Sequence, residues 1–160
     1  MSKHKEEKTN VMRTLEQKKI AYTPHEYPAD GPVDGVSVAA YLNQDPEQVF
    51  KTLVTKGHDG EHRVFVVPCT GELDLKAAAR AAGCKSVEMI HVADINKITG
   101  YIRGGCSPIG MKKSFPTYIH STCRLYDSIY VSAGVRGLQI RIAPDDLIGT
   151  TDASVVDLTV

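Results

Sequence analysis

The sequence predicts an α/β domain in which a mixed, strongly curved β-sheet is flanked by a few short helices. Three observations carry that expectation. Residues of the stretch FKTLVTK (50–56) and of Leu138 to Ala143 alternate at the two-residue period of a strand. The helical stretches between the strands are short and begin at capping residues. No regular βαβα alternation runs along the chain, which disfavours a doubly wound parallel sheet. At 160 residues one hydrophobic core suffices, and no repeat or long linker divides it.

The elements follow in order. Val11, Met12, Leu15 and Ile20 sit at helical spacing among charges and predict a helix over residues 5–19. Ile20 to Tyr27 reads as extended, and Pro24 places it at a sheet edge. PADGPVDG (28–35) reads as loop. Ser37 is the expected cap of a short helix to Leu42, and Asp45-Pro46-Glu47 starts a second. In FKTLVTK, Phe50, Thr52 and Val54 share one face and Lys51, Leu53 and Thr55 the other. Asp59-Gly60 turns the chain into a strand over Arg63 to Val67. Asp74 caps LKAAARAA, Gly83 stops it, and Asp94 opens a helix ending near Gly100. The remainder is mostly β: Pro116 to His120, Ser128 to Ser132, Leu138 to Ala143 and Val155 to Leu158, with a helical turn at Pro144.

Charge and composition exclude several classes of function. Nineteen Lys plus Arg against nineteen Asp plus Glu leave no net charge, so bulk attraction to DNA or to a membrane is out. A phosphate-bearing partner has to be caught by a local patch. The N-terminus MSKHKEEKTN lacks the apolar stretch of a secretory signal, and no apolar run approaches the ~20 residues of a membrane span. Cys69, Cys84, Cys106 and Cys123 are irregularly spaced without a Cys-x-x-Cys pair, as expected of free thiols in a cytoplasmic protein. His58 and His62 have helical ligand spacing, but the Asp59-Gly60 turn between them argues against a metal site, and no cofactor is expected.

The densest chemical signal is GYIRGGCSPIGMKK (100–113). Gly104 and Gly105 let the backbone approach a ligand with its N–H groups, Ser107 adds a hydroxyl, and Pro108 stiffens the exit. Such a loop suits a carbonyl oxygen that gains negative charge, and it equally suits a tight surface turn. Arg103, Lys112 and Lys113 flank it as phosphate contacts or solvated cations. Lys51, mid-strand beside Leu53, either snorkels to the rim or serves a buried anionic or carbonyl group. Cys106 is a nucleophile only if a base such as His91 or His120 approaches it in space. Otherwise it is filler.

FKTLV, LDLKAAARAAG, ITGYIRGGCSPIGMKK and IYVSAGVRGLQIRIAP, in that order, resemble the YbaK/EbsC group of the prolyl-tRNA editing superfamily over Ile20 to Leu158. The resemblance implies a barrel-like mixed sheet, with residues 20–160 as the editing domain and residues 1–19 as a helical segment packed on it. It implies deacylation of cysteinyl-tRNA for proline, and often of that for cysteine. Esters of alanine or serine, or tRNA binding without catalysis, are the alternatives. The substrate's own thiol would attack its ester, with no protein nucleophile. Carried onto this chain, Gly104, Gly105 and Ser107 polarise the carbonyl, with Pro108 in the same loop. Lys51 and Tyr27 position the terminal adenosine or aminoacyl group, and Ser132 and Gly134 match the family's positions. Arg103, Lys112 and Arg136 contact phosphates. Gln139, Ala133, Val135 and Cys106 depart from the residues common in the family. The implied partners are the acceptor end of aminoacyl-tRNA and, in a ternary complex, prolyl-tRNA synthetase.

Overall fold

The computed structural model describes residues 8–160; residues 1–7, where the predicted N-terminal helix begins, lie outside them. Helix α1 (Asn10–Gln17) starts where Thr9 Oγ1 accepts the Met12 N–H at 3.2 Å. It ends short of the predicted boundary because Lys19 turns to φ +59°. Val11, Met12 and Leu15 are buried against the main core.

Eight strands follow: β1 (Thr23–Glu26), β2 (Phe50–Gly57), β3 (His62–Pro68), β4 (Val87–Met89), β5 (Thr117–His120), β6 (Ile129–Ser132), β7 (Leu138–Ile142) and β8 (Ser154–Val156). They form two sheets instead of one barrel-like sheet. One has the order β1-β7-β6, the other β4-β2-β3-β5-β8. The second is mixed, antiparallel at β2–β3 and β2–β4 and parallel at β3–β5 and β5–β8. A 3₁₀ turn over Pro46–Gln48 delivers Val49 to a parallel bridge with Tyr130, an isolated backbone pairing between the sheets, which share no ladder. β1 with Pro24 is an edge strand, as predicted. The three-residue β4 is too short for its alternation to be visible in the sequence.

The helices are α2 (Gly35–Tyr41), α3 (Leu75–Ala82), α4 (Ile95–Thr99) and α5 (Pro144–Thr151). α2 begins two residues before the predicted cap. Asp34, not Ser37, caps it, accepting both the N–H and the hydroxyl of Ser37 at 2.8 Å. α3 has the predicted limits, capped by Asp74 and closed by Gly83 at φ +68°. α5 is a full helix rather than a turn.

β3 is interior and buried on both faces, which explains its unbroken apolar run. Val64 and Val66 face the main core with Phe50, Val54, Ile129, Val131, Ile140 and Ile142. Phe65 and Val67 face a second core closed by α3 through Ala78 and Ala79 and by Leu158.

Candidate active site

The two sheets, α2 and the glycine loop enclose a cleft of about 560 Å³, a size suited to a nucleoside-sized ligand. One wall is the start of β2, with Phe50, Lys51, Thr52 and Leu53; another is the α2 segment, with Val33, Asp34, Gly35, Val36 and Val38. Arg103, Gly104 and Cys106 face them from the loop. Val131, Ser132, Arg136 and Gln139 complete the cleft from β6, the following turn and β7.

Six of the eleven residues singled out in the sequence therefore meet here: Tyr27, Lys51, Arg103, Gly104, Ser132 and Arg136. Lys51 sits opposite Val67 of β3, and among the described residues it forms no ion pair. It lines the cleft. The Tyr27 N–H donates to the Gly137 carbonyl at 2.9 Å, and burial pushes its phenol up, so the hydroxyl remains a proton donor. Arg136 Nε donates to the Arg103 carbonyl at 2.8 Å and locks the glycine loop to the turn after β6.

The other five lie elsewhere, each for a local reason. The Gly105 N–H is spent on the Ile102 carbonyl at 2.9 Å, so it polarises nothing in the cleft. Ser107 is fully buried, and its hydroxyl accepts the Ile109 N–H at 3.2 Å. Pro108 lines a separate depression with Met111 and Phe115. Lys112 packs its stem on Gly100 and donates to the Lys97 carbonyl at 3.4 Å. Gly134, at φ +101°, packs on Tyr101 and Val11.

The loop nevertheless offers backbone donors. Among the described residues, the N–H groups of Gly104 and Cys106 have no backbone acceptor, while both residues line the cleft. Gly104 holds φ +84°, and a Cβ there would stand 2.7 Å from Val33 Cγ1. Glycine is required at that position.

PADGPVDG reads as plain loop in the sequence, yet its last residues form a cleft wall. The signal was Gly35, whose missing side chain admits Cys69: a Cβ would lie 2.5 Å from Cys69 Cβ. Cys69 and Thr52, read from the sequence only as a free thiol and a strand-face residue, also line the cleft, and the buried Thr52 hydroxyl has no partner among the described residues. Gln139 is nearly buried in a reciprocal amide pair with Gln44, at 2.8 and 3.1 Å.

No activated nucleophile faces the cleft. Burial pushes Cys106 and Cys69 up to about 11, which leaves both as thiols, although Lys51 pulls Cys69 partly back. No histidine is among the lining residues. His91 immediately precedes a 3₁₀ turn without a side-chain bond to it, and His120 accepts the Leu158 N–H at 2.9 Å on the second core. The Asp34 carboxylate is engaged by Ser37. His58 and His62 flank a hairpin turn, and among the described residues no group of three or more His, Cys, Asp or Glu could hold a metal ion.

The family model described as "Aminoacyl-tRNA editing domain" matches residues 33–150, which span α2, β2, the glycine loop and β7. The chain belongs to this editing family. Within the family it stands with the YbaK/EbsC group. It is 46% identical to the Enterococcus faecalis protein named "Putative Cys-tRNA(Pro)/Cys-tRNA(Cys) deacylase EbsC", over 99% of this chain and 98% of that one. Two solved structures share the fold. One, from work on computational grafting of epitope backbones onto scaffold proteins, has TM-score 0.83 and 25% identity, covering 94% of each chain. The other is described as "a putative trans-editing enzyme for prolyl tRNA synthetase"; TM-score 0.82 and 24% identity cover 96% of this chain and 99% of that one. Among the described residues, no helix of this editing domain is long and apolar enough to cross a membrane.

Proposed function

We propose that the protein is a free-standing aminoacyl-tRNA deacylase that clears cysteine from tRNA for proline, and from tRNA for cysteine. The near-full-length likeness to the Enterococcus protein named for that activity supports the reading. The observation that carries it is chemical: the cleft is lined by Lys51 and by Gly104 and Cys106, whose N–H groups have no backbone acceptor among the described residues, but by neither a thiolate nor a histidine base. A site so equipped stabilises charge and leaves the attack to the substrate.

In the reaction, the cysteinyl sulfur forms a bond to its own ester carbon as the thiol loses its proton. The carbon–oxygen ester bond breaks, the ribose oxygen takes up a proton, and a cyclic thiolactone leaves. Holding the two ends of one molecule in contact supplies a high effective concentration without a protein nucleophile. The N–H groups of Gly104 and Cys106 receive the carbonyl oxygen as it becomes anionic. Lys51 holds the aminoacyl or adenosine end, and Arg103 and Arg136 take the adjoining phosphates. Little surface remains for reading the body of a tRNA, so a synthetase, that for proline, supplies tRNA identity in a ternary complex in the cytoplasm.

The test is a panel of tRNA for proline charged with Cys, Ser or Ala, together with cysteinyl-tRNA for cysteine. Rapid loss of Cys alone is expected. Preference for Ser or Ala defeats the thiol step. Binding of every charged tRNA with none cleaved makes the protein a binding module.

A further inference from the structure

Residues 100–111 form a compact loop whose ends meet, the Lys112 N–H donating to the Thr99 carbonyl at 3.0 Å. One side chain runs through its interior. Tyr101 is buried, and its hydroxyl donates to the Ile109 carbonyl at 2.5 Å, which joins the entering limb of the loop to the leaving limb. Its ring is the surface that Gly134 packs on, where a Cβ would stand 3.1 Å from Tyr101 Cε1. At Gly110 a Cβ would stand 2.9 Å from the hydroxyl, so only glycine leaves room for the bond to Ile109. The backbone of Tyr101 is pinned as well. Its N–H donates to Thr99 Oγ1 at 3.0 Å, and its carbonyl accepts from Asn96 Nδ2 at 3.4 Å. Thr99 is fully buried and donates in turn to the Ile95 carbonyl at 2.8 Å.

We propose that Tyr101 is the positioning residue of the site: its ring and hydroxyl fix the separation of the loop limbs and their distance from the Gly134 turn. That separation sets where the Gly104 and Cys106 N–H groups stand in the cleft. Gly104 and Cys106 lie on the span the hydroxyl closes, and Gly134 is on the turn that carries Arg136. Tyr101 does not line the cleft, and it acts through the loop. The reactive side of this inference rests on the deacylase reading above; the structural side does not.

The test is Tyr101→Phe, which keeps the ring and removes the hydroxyl, with Thr99→Val loosening the same limb at its root. Tyr118→Phe serves as control, because Tyr118 stacks on Phe65 away from the cleft. On cysteinyl-tRNA for proline, Tyr101→Phe is expected to lower kcat by about 10- to 100-fold, as misplacement of reacting groups by about 1 Å does, with KM within about twofold. Thr99→Val should change both constants in the same sense, and Tyr118→Phe neither. Amide hydrogen exchange should quicken at residues 104–107 in Tyr101→Phe while β2 and β3 stay protected. A wild-type kcat in Tyr101→Phe, or equal losses in Tyr118→Phe, overturns the proposal. Wild-type protein inactive on every cysteinyl-tRNA sinks the deacylase reading instead; unchanged exchange at 104–107 then still overturns the positioning role. If Tyr101→Phe fails to fold, Thr99→Val decides by the same two readouts.

Discussion

In the proposed deacylation, Lys51 is the side chain on which the chemistry leans most. It occupies a strand position where an apolar residue is expected, and the cleft wall explains it. Lys51→Ala should cut deacylation of cysteinyl-tRNA by about a hundredfold or more, the usual loss when one preorganised electrostatic partner of a transition state is removed. Cys106→Ala makes the opposite case. Burial holds this thiol at about 11, so almost none of it is thiolate near neutral pH, and single-turnover rates should stay within about twofold of wild type. Mass spectrometry of the quenched reaction should show no acyl adduct on the protein. Gly104→Ala adds strain of about 1–2 kcal/mol at a positive φ. It also drives a methyl group into Val33 and against Arg136 Nε. Both stability and turnover should fall. Lys51 and Gly104 could be picked out from residue type alone. Ser107 and Gly105 could not be dismissed that way, since only the folded loop shows their polar groups turned inward.

The elements were legible where local chemistry fixes them. α3 has its predicted ends because the Asp74 side chain meets the Lys76 and Ala77 N–H groups at 3.0 and 3.2 Å and Gly83 adopts the left-handed closing turn. Asp74→Ala should lower stability by about 1 kcal/mol in urea titrations, as loss of an N-cap does, leaving deacylation unchanged because α3 closes the second core. α2 was less legible: Asp34 and Ser37 are both capping types, and the choice fell to Asp34 because one carboxylate engages two groups of Ser37. β4 escaped notice because three residues carry too little alternation, and its place at the edge beside β2 is set by pairing.

At the scale of the whole molecule, the C-terminal segment is tied to the sheet through His120. Its Nδ1 accepts the Leu158 N–H at 2.9 Å, Nε2 stands 3.3 Å from Thr159 Oγ1, and Asp157 faces it as the nearby charge. An accepting Nδ1 requires the neutral ring. Burial lowers its pKa from 6.5, against a smaller opposing pull from Asp157. His25 and His62 are lowered in the same direction, also mainly by burial. The unfolded chain therefore binds more protons below about pH 6.5. This contribution to stability is complete above that pH and is lost as pH falls toward the folded-state values. Thermal unfolding followed from pH 8 to pH 5 should show a falling Tm. The slope should be shallower in His120→Gln, whatever its absolute Tm; an unchanged slope would clear His120 of the effect.

The sequence by itself determined the α/β class, most strands and the cap and stop of α3, because alternation, capping and turn chemistry act within a few residues; the order of its motifs carried the family resemblance. Residue types drew attention to Lys51, Arg103 and Gly104 of the cleft, and the family resemblance to Tyr27, Ser132 and Arg136. Only the tertiary structure decided that there are two sheets joined at Val49 and Tyr130, that the end of PADGPVDG is a cleft wall, and that Ser107, Pro108 and Lys112 face away. Those outcomes depend on which distant backbone groups and side chains satisfy one another. Such pairings, Arg136 with Arg103 or Tyr101 with Ile109, have no local signature along the chain.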